Sequence, residues 1–329
     1  MLLLRRAAAA CSTSGRPHVS IHPPGPSSRQ HPACSRGVRA HAAAVDDDTT
    51  GGGDGDDETA SPGRPLRVER LLANLGYGKR QECAALVSKG RARHVDGRRL
   101  KVGEKITHDD LVLDGEALDP AFPLVVLLNK PVGYVVTSPE DTKISDPKVY
   151  DLLPFRFGQR RPFLSSVGRL DKATSGLLLL TDDGKLVQRI NAPRRGIWKV
   201  YEATLTAPLV GKEADKAVEK FASGKLKLVG DTSPLMPARL EVVDAGGGLR
   251  VRVSVCEGRY HQVRRMFTAI GHEVVALHRA SVGGLTLGDL PEAEYRLLSL
   301  EEVGAVFDGP GGDEVLGRRA AKQLPAASG

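Results

Sequence analysis

The residues best placed to do chemistry lie in one stretch, Ser166-Val-Gly-Arg-Leu-Asp-Lys-Ala-Thr-Ser-Gly-Leu-Leu-Leu-Leu-Thr-Asp-Asp-Gly184. It sets a single acid, Asp171, between a basic residue and a Thr/Ser/Gly turn, directly before the apolar run Leu177 to Leu180. Such a run, bounded by Gly176 and by the turn signal Asp182-Asp183-Gly184, predicts a short buried strand. A carboxylate at the lip of a core element is a candidate for chemistry. Taken alone, an Asp before Thr and Ser more often serves as a turn or cap residue.

Three further words accompany it. Leu124 to Leu128 predicts an apolar strand running into Asn129-Lys-Pro-Val-Gly133, by itself only a turn. Trp198-Lys-Val-Tyr201 opens a strand in which Tyr201, Ala203 and Leu205 share a face, with Lys199 at its head. Arg250 to Cys256 alternates as a strand with Val251, Val253 and Val255 inward, and ends in Glu257-Gly-Arg-Tyr-His-Gln-Val-Arg-Arg-Met-Phe267. There Val263, Met266, Phe267 and Ile270 make the buried stripe of a helix capped by Gly271. His261, Arg264 and Arg265 fall on its neighbouring face.

Together these words resemble the RNA pseudouridine synthases, specifically the branch that modifies uridines in small- and large-subunit ribosomal RNA. The resemblance covers roughly residues 64–306. It rests on Gly168-Arg-Leu-Asp171 with Thr174-Ser-Gly176, on Lys-Pro-x-Gly at Lys130, on Lys-x-Tyr at Lys199, and on Gly-x-x-His-Gln-Val-Arg-Arg-Met from Gly258. Val282-Gly-Gly-Leu-Thr-Leu-Gly288 to Tyr295-Arg296 is similar to the family's closing strand and turn, with Ala293 where the family has glycine. The resemblance implies an α+β fold, a pseudouridine synthase core around a mixed, largely antiparallel sheet. It implies Asp171, Tyr201 and Arg264 as the catalytic set, Tyr201 packing on the target base and Arg264 pairing with Asp171. A nearby cation would keep a semi-buried carboxylate ionised. Lys130, Arg169, Arg259, His261, Gln262 and Arg265 are the implied RNA contacts of this core. No cofactor and no metal is expected.

Before that core the pattern is helical. Val68, Leu71, Leu72 and Leu75 repeat along one face and Gly76 ends it; a second helix from about Lys79 to Lys89 buries Cys83, Leu86 and Val87. A strand and turn over Arg91 to Gly97 and a hairpin toward Leu118 follow. From Arg64 to Val112 there are twelve Lys/Arg against six Asp/Glu, so basic side chains crowd this small unit. That suits phosphate positioning, which gives affinity rather than sequence reading. The order resembles the S4 RNA-binding module, here with Lys79 where a Ser is usual, tethered as a separate clamp. Lys79, Arg80, Lys89, Arg91 and Arg93 are the expected RNA contacts.

The 329 residues leave room for two compact domains plus tails, with 40% hydrophobic and only 4% aromatic content. The net charge of +7 and pI near 9.3 suit a polyanionic partner. No apolar stretch approaches the ~20 residues of a membrane helix. Cys11, Cys34, Cys83 and Cys256 lack CxxC spacing, which supports neither a zinc site nor a disulfide framework. Residues 1–45 contain no Asp or Glu and carry Arg among Ala, Ser and Pro, as an organelle transit peptide does; the alternative is a basic arm on RNA. The Ser, Ala and Pro content favours the chloroplast over the mitochondrion. Residues 46–63 predict a disordered acidic, Gly-rich linker, 64–118 the S4-like unit, 122–308 the catalytic domain and 309–329 a loose tail. A monomer is the default expectation, and a non-catalytic ribosomal RNA assembly factor is the alternative function.

Overall fold

The structure is a computed structural model, and it describes residues 63–243 and 247–308. The expected leader, all but the last residue of the expected linker, and the expected tail lie outside the described residues.

Strand β1 (Leu66–Arg67) leads into helix α1 (Val68–Asn74), and after a glycine turn comes α2 (Arg80–Ser88). Val68, Leu71 and Leu72 share a core with Cys83 and Val87, as their helical spacing requires. α2 starts where the Glu82 carboxylate accepts the Lys79 N–H at 2.7 Å, which satisfies a donor at the helix start. β2 (Ala92–His94), β3 (Lys105–Ile106), β4 (Leu111–Leu113) and β5 (Glu116–Ala117) complete the piece. β1 pairs with β3, and β4 lies between β2 and β5.

This piece is docked on the core rather than only tethered to it. The Arg161 N–H donates to the Asn74 carbonyl at 2.8 Å, and the Asp119 N–H donates to the Tyr77 hydroxyl at 3.0 Å. The Arg156 guanidinium lies over the Tyr77 ring and pairs with Asp119. At Gly76 a Cβ would stand 2.1 Å from the Arg156 carbonyl oxygen, so only glycine lets the two backbones meet.

The core begins with β6 (Val125–Lys130), β7 (Ser165–Val167) and β8 (Thr174–Thr181), followed by α3 (Gly184–Asn191), β9 (Lys199–Leu205) and α4 (Gly211–Ala222). It closes with β10 (Arg239–Val242), β11 (Arg250–Val255), α5 (Gln262–Thr268), β12 (Val274–Val282), β13 (Leu285–Thr286), β14 (Tyr295–Leu297) and α6 (Leu300–Gly304). The sheet order is β10-β11-β9-β12-β8-β6-β14, with β7 added to β8 and β13 to β12. Only β8 and β12 run parallel, so the sheet is mixed and largely antiparallel, as expected.

The unbroken Leu run of β8 follows from its position. Leu178 and Leu180 enter one core with Val126 and Leu128, while Leu177 and Leu179 enter a second with Val125 and Leu127. A strand covered on both faces has no reason to alternate. β9 does alternate, with Lys199, Tyr201, Ala203 and Leu205 buried. Three features differ from the sequence expectation. Asp182 and Asp183 are more than turn residues: buried Asp182 pairs with buried Arg160 at 3.0 Å, and Asp183 caps α3 by accepting the Lys185 and Leu186 N–H groups. Around Lys225 and Lys227 the chain is an irregular segment that buries Leu226 and Leu228. Its Leu226 carbonyl accepts the Leu235 N–H at 2.7 Å. Central strand β12 was not expected, because two register shifts against β9 break its alternation.

Candidate active site

Asp171 sits in the loop between β7 and β8, at the wall of a cavity of about 470 Å³. β7 occupies the C-terminal half of one edge of β8 and β12 its N-terminal half, and the Asp171 loop crosses the gap between them. The loop is tightened by the Thr174 N–H donating to the Asp171 carbonyl at 3.0 Å. The side chain is about one-third exposed, and His261 Nε2 lies 3.4 Å from its Oδ1.

Tyr201 projects from β9 into the same cavity, almost buried, and its hydroxyl accepts from Arg279 Nη1 at 3.4 Å. Arg279, on β12, is 1% exposed. Its Nε donates to the Leu177 carbonyl at 2.7 Å, while Nη2 has no partner among the described residues. A buried guanidinium with one free N–H edge lining a cavity is a group prepared for an acceptor. Its placement explains Gly176: a Cβ there would lie 2.4 Å from the Arg279 carbonyl oxygen and 2.7 Å from its nitrogen. The Thr-Ser-Gly word therefore lets β12 close against β8.

Two lysines support this arrangement. Lys130 is wholly buried, and its ammonium donates to the carbonyls of Pro131 at 2.9 Å, Thr174 at 2.8 Å and Asp171 at 3.3 Å. Burial lowers its pKa to about 8. The Gly133 N–H donates to the Lys172 carbonyl at 2.8 Å, so the Lys-Pro-Val-Gly turn is fastened to the Asp171 loop at two points. Lys199 lines the cavity two residues from Tyr201 on the same face, and burial, with Arg279 nearby, lowers its pKa to about 8.

Of the residues expected at the site, the structure brings Asp171, Tyr201, Arg169, Arg259, His261 and Gln262 to the cavity. Arg264 is corrected as the partner of Asp171. Its guanidinium donates to the Val274 carbonyl at 2.7 Å and the Ala173 carbonyl at 2.9 Å, tying α5 to β12 and to the Asp171 loop. Arg279 is the buried arginine of that cavity, and it bonds the Tyr201 hydroxyl there. Lys130 is corrected as an RNA contact, since its ammonium is enclosed by carbonyls. Gln262 is buried and turned inward, accepting the Arg259 N–H at 2.9 Å and donating to Glu257 at 3.3 Å. Arg259 and Arg265 converge on Asp231 at 3.0 and 2.6 Å, clamping the segment before β10.

Arg169 is exposed at the cavity. Lys79, Arg80, Lys89, Arg91 and Arg93 are all exposed on the N-terminal piece; Arg91 pairs with Asp114, and Arg93 Nε donates to the Gly90 carbonyl at 2.8 Å. The missed residue is Arg279. Its signal was a single Arg within Val274–Val282, a place where a cation is retained only with a purpose.

A family model described as RNA pseudouridylate synthase matches residues 124–269. Ribosomal small subunit pseudouridine synthase A of Yersinia pestis is 40% identical over 249 residues, covering 73% of this chain and 98% of the relative. The protein of the same name from Escherichia coli strain K12 is 37% identical over 245 residues, covering 73% and 100%. Among solved structures, a crystal structure of a pseudouridylate synthase covers 73% of this chain and 99% of its own, at 33% identity and a TM-score of 0.49. The chain belongs to the RNA pseudouridine synthases, which are isomerases, and within them to the family of ribosomal small subunit pseudouridine synthase A.

Proposed function

We propose that this isomerase converts one uridine of organellar ribosomal RNA to pseudouridine, with Asp171 as the group that acts on the nucleotide. The observation that carries the reading is the convergence of Asp171, Tyr201 and Arg279 in one cavity. The bond from N1 to C1′ breaks, the uracil turns, and C5 joins C1′. The proton lost from C5 is balanced by one gained at N1, so atoms balance without a co-reactant. Asp171 serves as nucleophile or base. Tyr201 presents a ring to the base and a hydroxyl for a proton. Arg279 supplies positive charge where the carboxylate and the leaving base carry negative charge.

The target must leave its stack to reach this cavity. The exposed cations of the N-terminal piece, in the helix, basic pair, helix, strand order of an S4 module, grip RNA backbone nearby. The relatives named for the small ribosomal subunit favour ribosomal RNA as substrate. The Ser, Ala and Pro content of the acid-free leader favours the chloroplast, and the enzyme acts as a monomer.

Pseudouridine mapping by carbodiimide and primer extension tests this in cells lacking the protein, complemented with wild type or Asp171→Asn. Loss of one organellar mark restored only by wild type is the expected result. Unchanged marks with failed ribosomal RNA processing, rescued by Asp171→Asn, would instead make the protein an assembly factor.

A further inference from the structure

Tyr260 stands 71% exposed at the same cavity. Its ring lies parallel to the His261 imidazole, centroids 3.9 Å apart and planes within 16°. The pair is held in place. His261 adopts a left-handed backbone, φ 47° and ψ 34°, which a non-glycine residue keeps only where its surroundings enforce it. In that pose its Nε2 reaches Asp171.

Arg265 fixes the other side. Nη1 donates to the Tyr260 carbonyl at 3.1 Å and Nη2 to the Val229 carbonyl at 2.6 Å, so one guanidinium ties two exposed residues together. Val229 is 97% exposed, on a turn closed by the Asp231 N–H and the Leu228 carbonyl at 3.1 Å. Arg259 braces the same turn through Asp231, Ser233 and Pro234. An aromatic ring is thus presented to solvent from a scaffold with little freedom to move.

Extruding a uridine strips its neighbour of a stacking partner, and an exposed aromatic face beside the receiving cavity can replace it. Arg169, exposed at the same cavity, is suited to the phosphate between the two nucleotides. We propose that Tyr260 is the stacking platform for the nucleobase adjoining the target uridine, and that His261 couples that contact to the position of Asp171. The proposal rests on the RNA reading above and names a residue that holds the flanking base.

The test uses the full chain and a ribosomal RNA fragment carrying the mapped uridine. Wild type, Tyr260→Ala, Tyr260→Phe and Tyr260→Trp are compared in turnover. In a second arm, 2-aminopurine replaces each flanking nucleotide in turn, and Asp171→Asn holds the RNA without converting it. Tyr260→Ala is expected to lower kcat/KM about tenfold, mainly through KM, with an unchanged unfolding midpoint. Phe and Trp, which keep a ring, should restore it to within about twofold. The fluorescence of one flanking 2-aminopurine should be quenched in the complex and regain intensity when Tyr260→Ala is added. A kcat/KM within about twofold of wild type in Tyr260→Ala overturns the platform, as does a Phe variant as impaired as Ala. Absence of quenching at both flanking positions overturns it as well. If wild type converts no uridine, the ribosomal reading fails on its own, and the fluorescence arm still decides the platform.

Discussion

The Lys130 ammonium lies 3.3 Å from the main-chain oxygen of Asp171 while also holding the carbonyls of Pro131 and Thr174. One buried cation thus fixes the loop that carries the Asp171 carboxylate to the end of β6 and the start of β8. Lys130→Met keeps the bulk and removes the donor. Orphaned buried carbonyls cost roughly 1–3 kcal/mol each, offset in part by relief of the lysine's desolvation, so a net loss of about 2–3 kcal/mol is expected. Urea unfolding measures that loss. Single-turnover assays below the unfolding transition should show at least about tenfold slower conversion with unchanged RNA affinity.

Lys199 gives the enzyme a pH signature. With its pKa lowered to about 8, it carries a charge in the cavity below that pH and loses it above. RNA affinity should therefore weaken as pH rises through 8, and Lys199→Met should flatten that limb. Stability moves the other way. The unfolded chain keeps the lysine proton to about pH 10.4, so between 8 and that value the unfolded state binds more protons and folding strengthens with pH. Parallel titrations of binding and of the unfolding midpoint check both slopes.

Two arginines should separate by kinetics. Arg279→Met removes the buried charge beside Tyr201 and should lower kcat by roughly 100- to 1000-fold. Arg264→Met removes two carbonyl contacts away from the cavity and should lower kcat far less, with a destabilisation of about 1–3 kcal/mol. A larger kcat loss in Arg264→Met would return that residue to the reacting centre.

Ala293 has a left-handed backbone, φ 69°, in the turn that feeds β14. Its N–H donates to the Asn129 carbonyl at 2.9 Å, which fixes the turn on the strand leading to Lys130. A Cβ in this region costs about 1–2 kcal/mol, against about 0.5–1 for glycine's extra freedom when unfolded. Ala293→Gly should stabilise the protein by roughly 0.5–1 kcal/mol without changing kcat. A lowered unfolding midpoint would mean that the methyl group packs usefully.

The elements legible in the sequence are those whose burial follows one period. The face of α1, the alternation of β9 and β11 and the stripe of α5 each obey a single local rule. Asp171 and Tyr201 were legible through the words around them. β12 was not, since its bulges shift the period midway, and Arg279 was lost with it. The pairing of Arg264 with Asp171 comes from the family resemblance, and a motif gives the type and place of a side chain but not the carbonyls its guanidinium will find. Lys130 was read as an RNA contact because burial of its ammonium depends on β6, β8 and the Asp171 loop closing together, which no local pattern records.

The place of β12 between β8 and β9 sets when this enzyme can begin to work. Asp171 and Tyr201 are synthesised early, yet the strands bearing and bordering them become neighbours only through a segment that ends at Val282. A nascent chain halted before that point has the acid and the tyrosine but no shared wall between them, and no Arg279. Its N-terminal cations are already made. Chain order therefore separates two parts of the molecule: the N-terminal cations come first, and the wall that gathers Asp171, Tyr201 and Arg279 is completed only with β12.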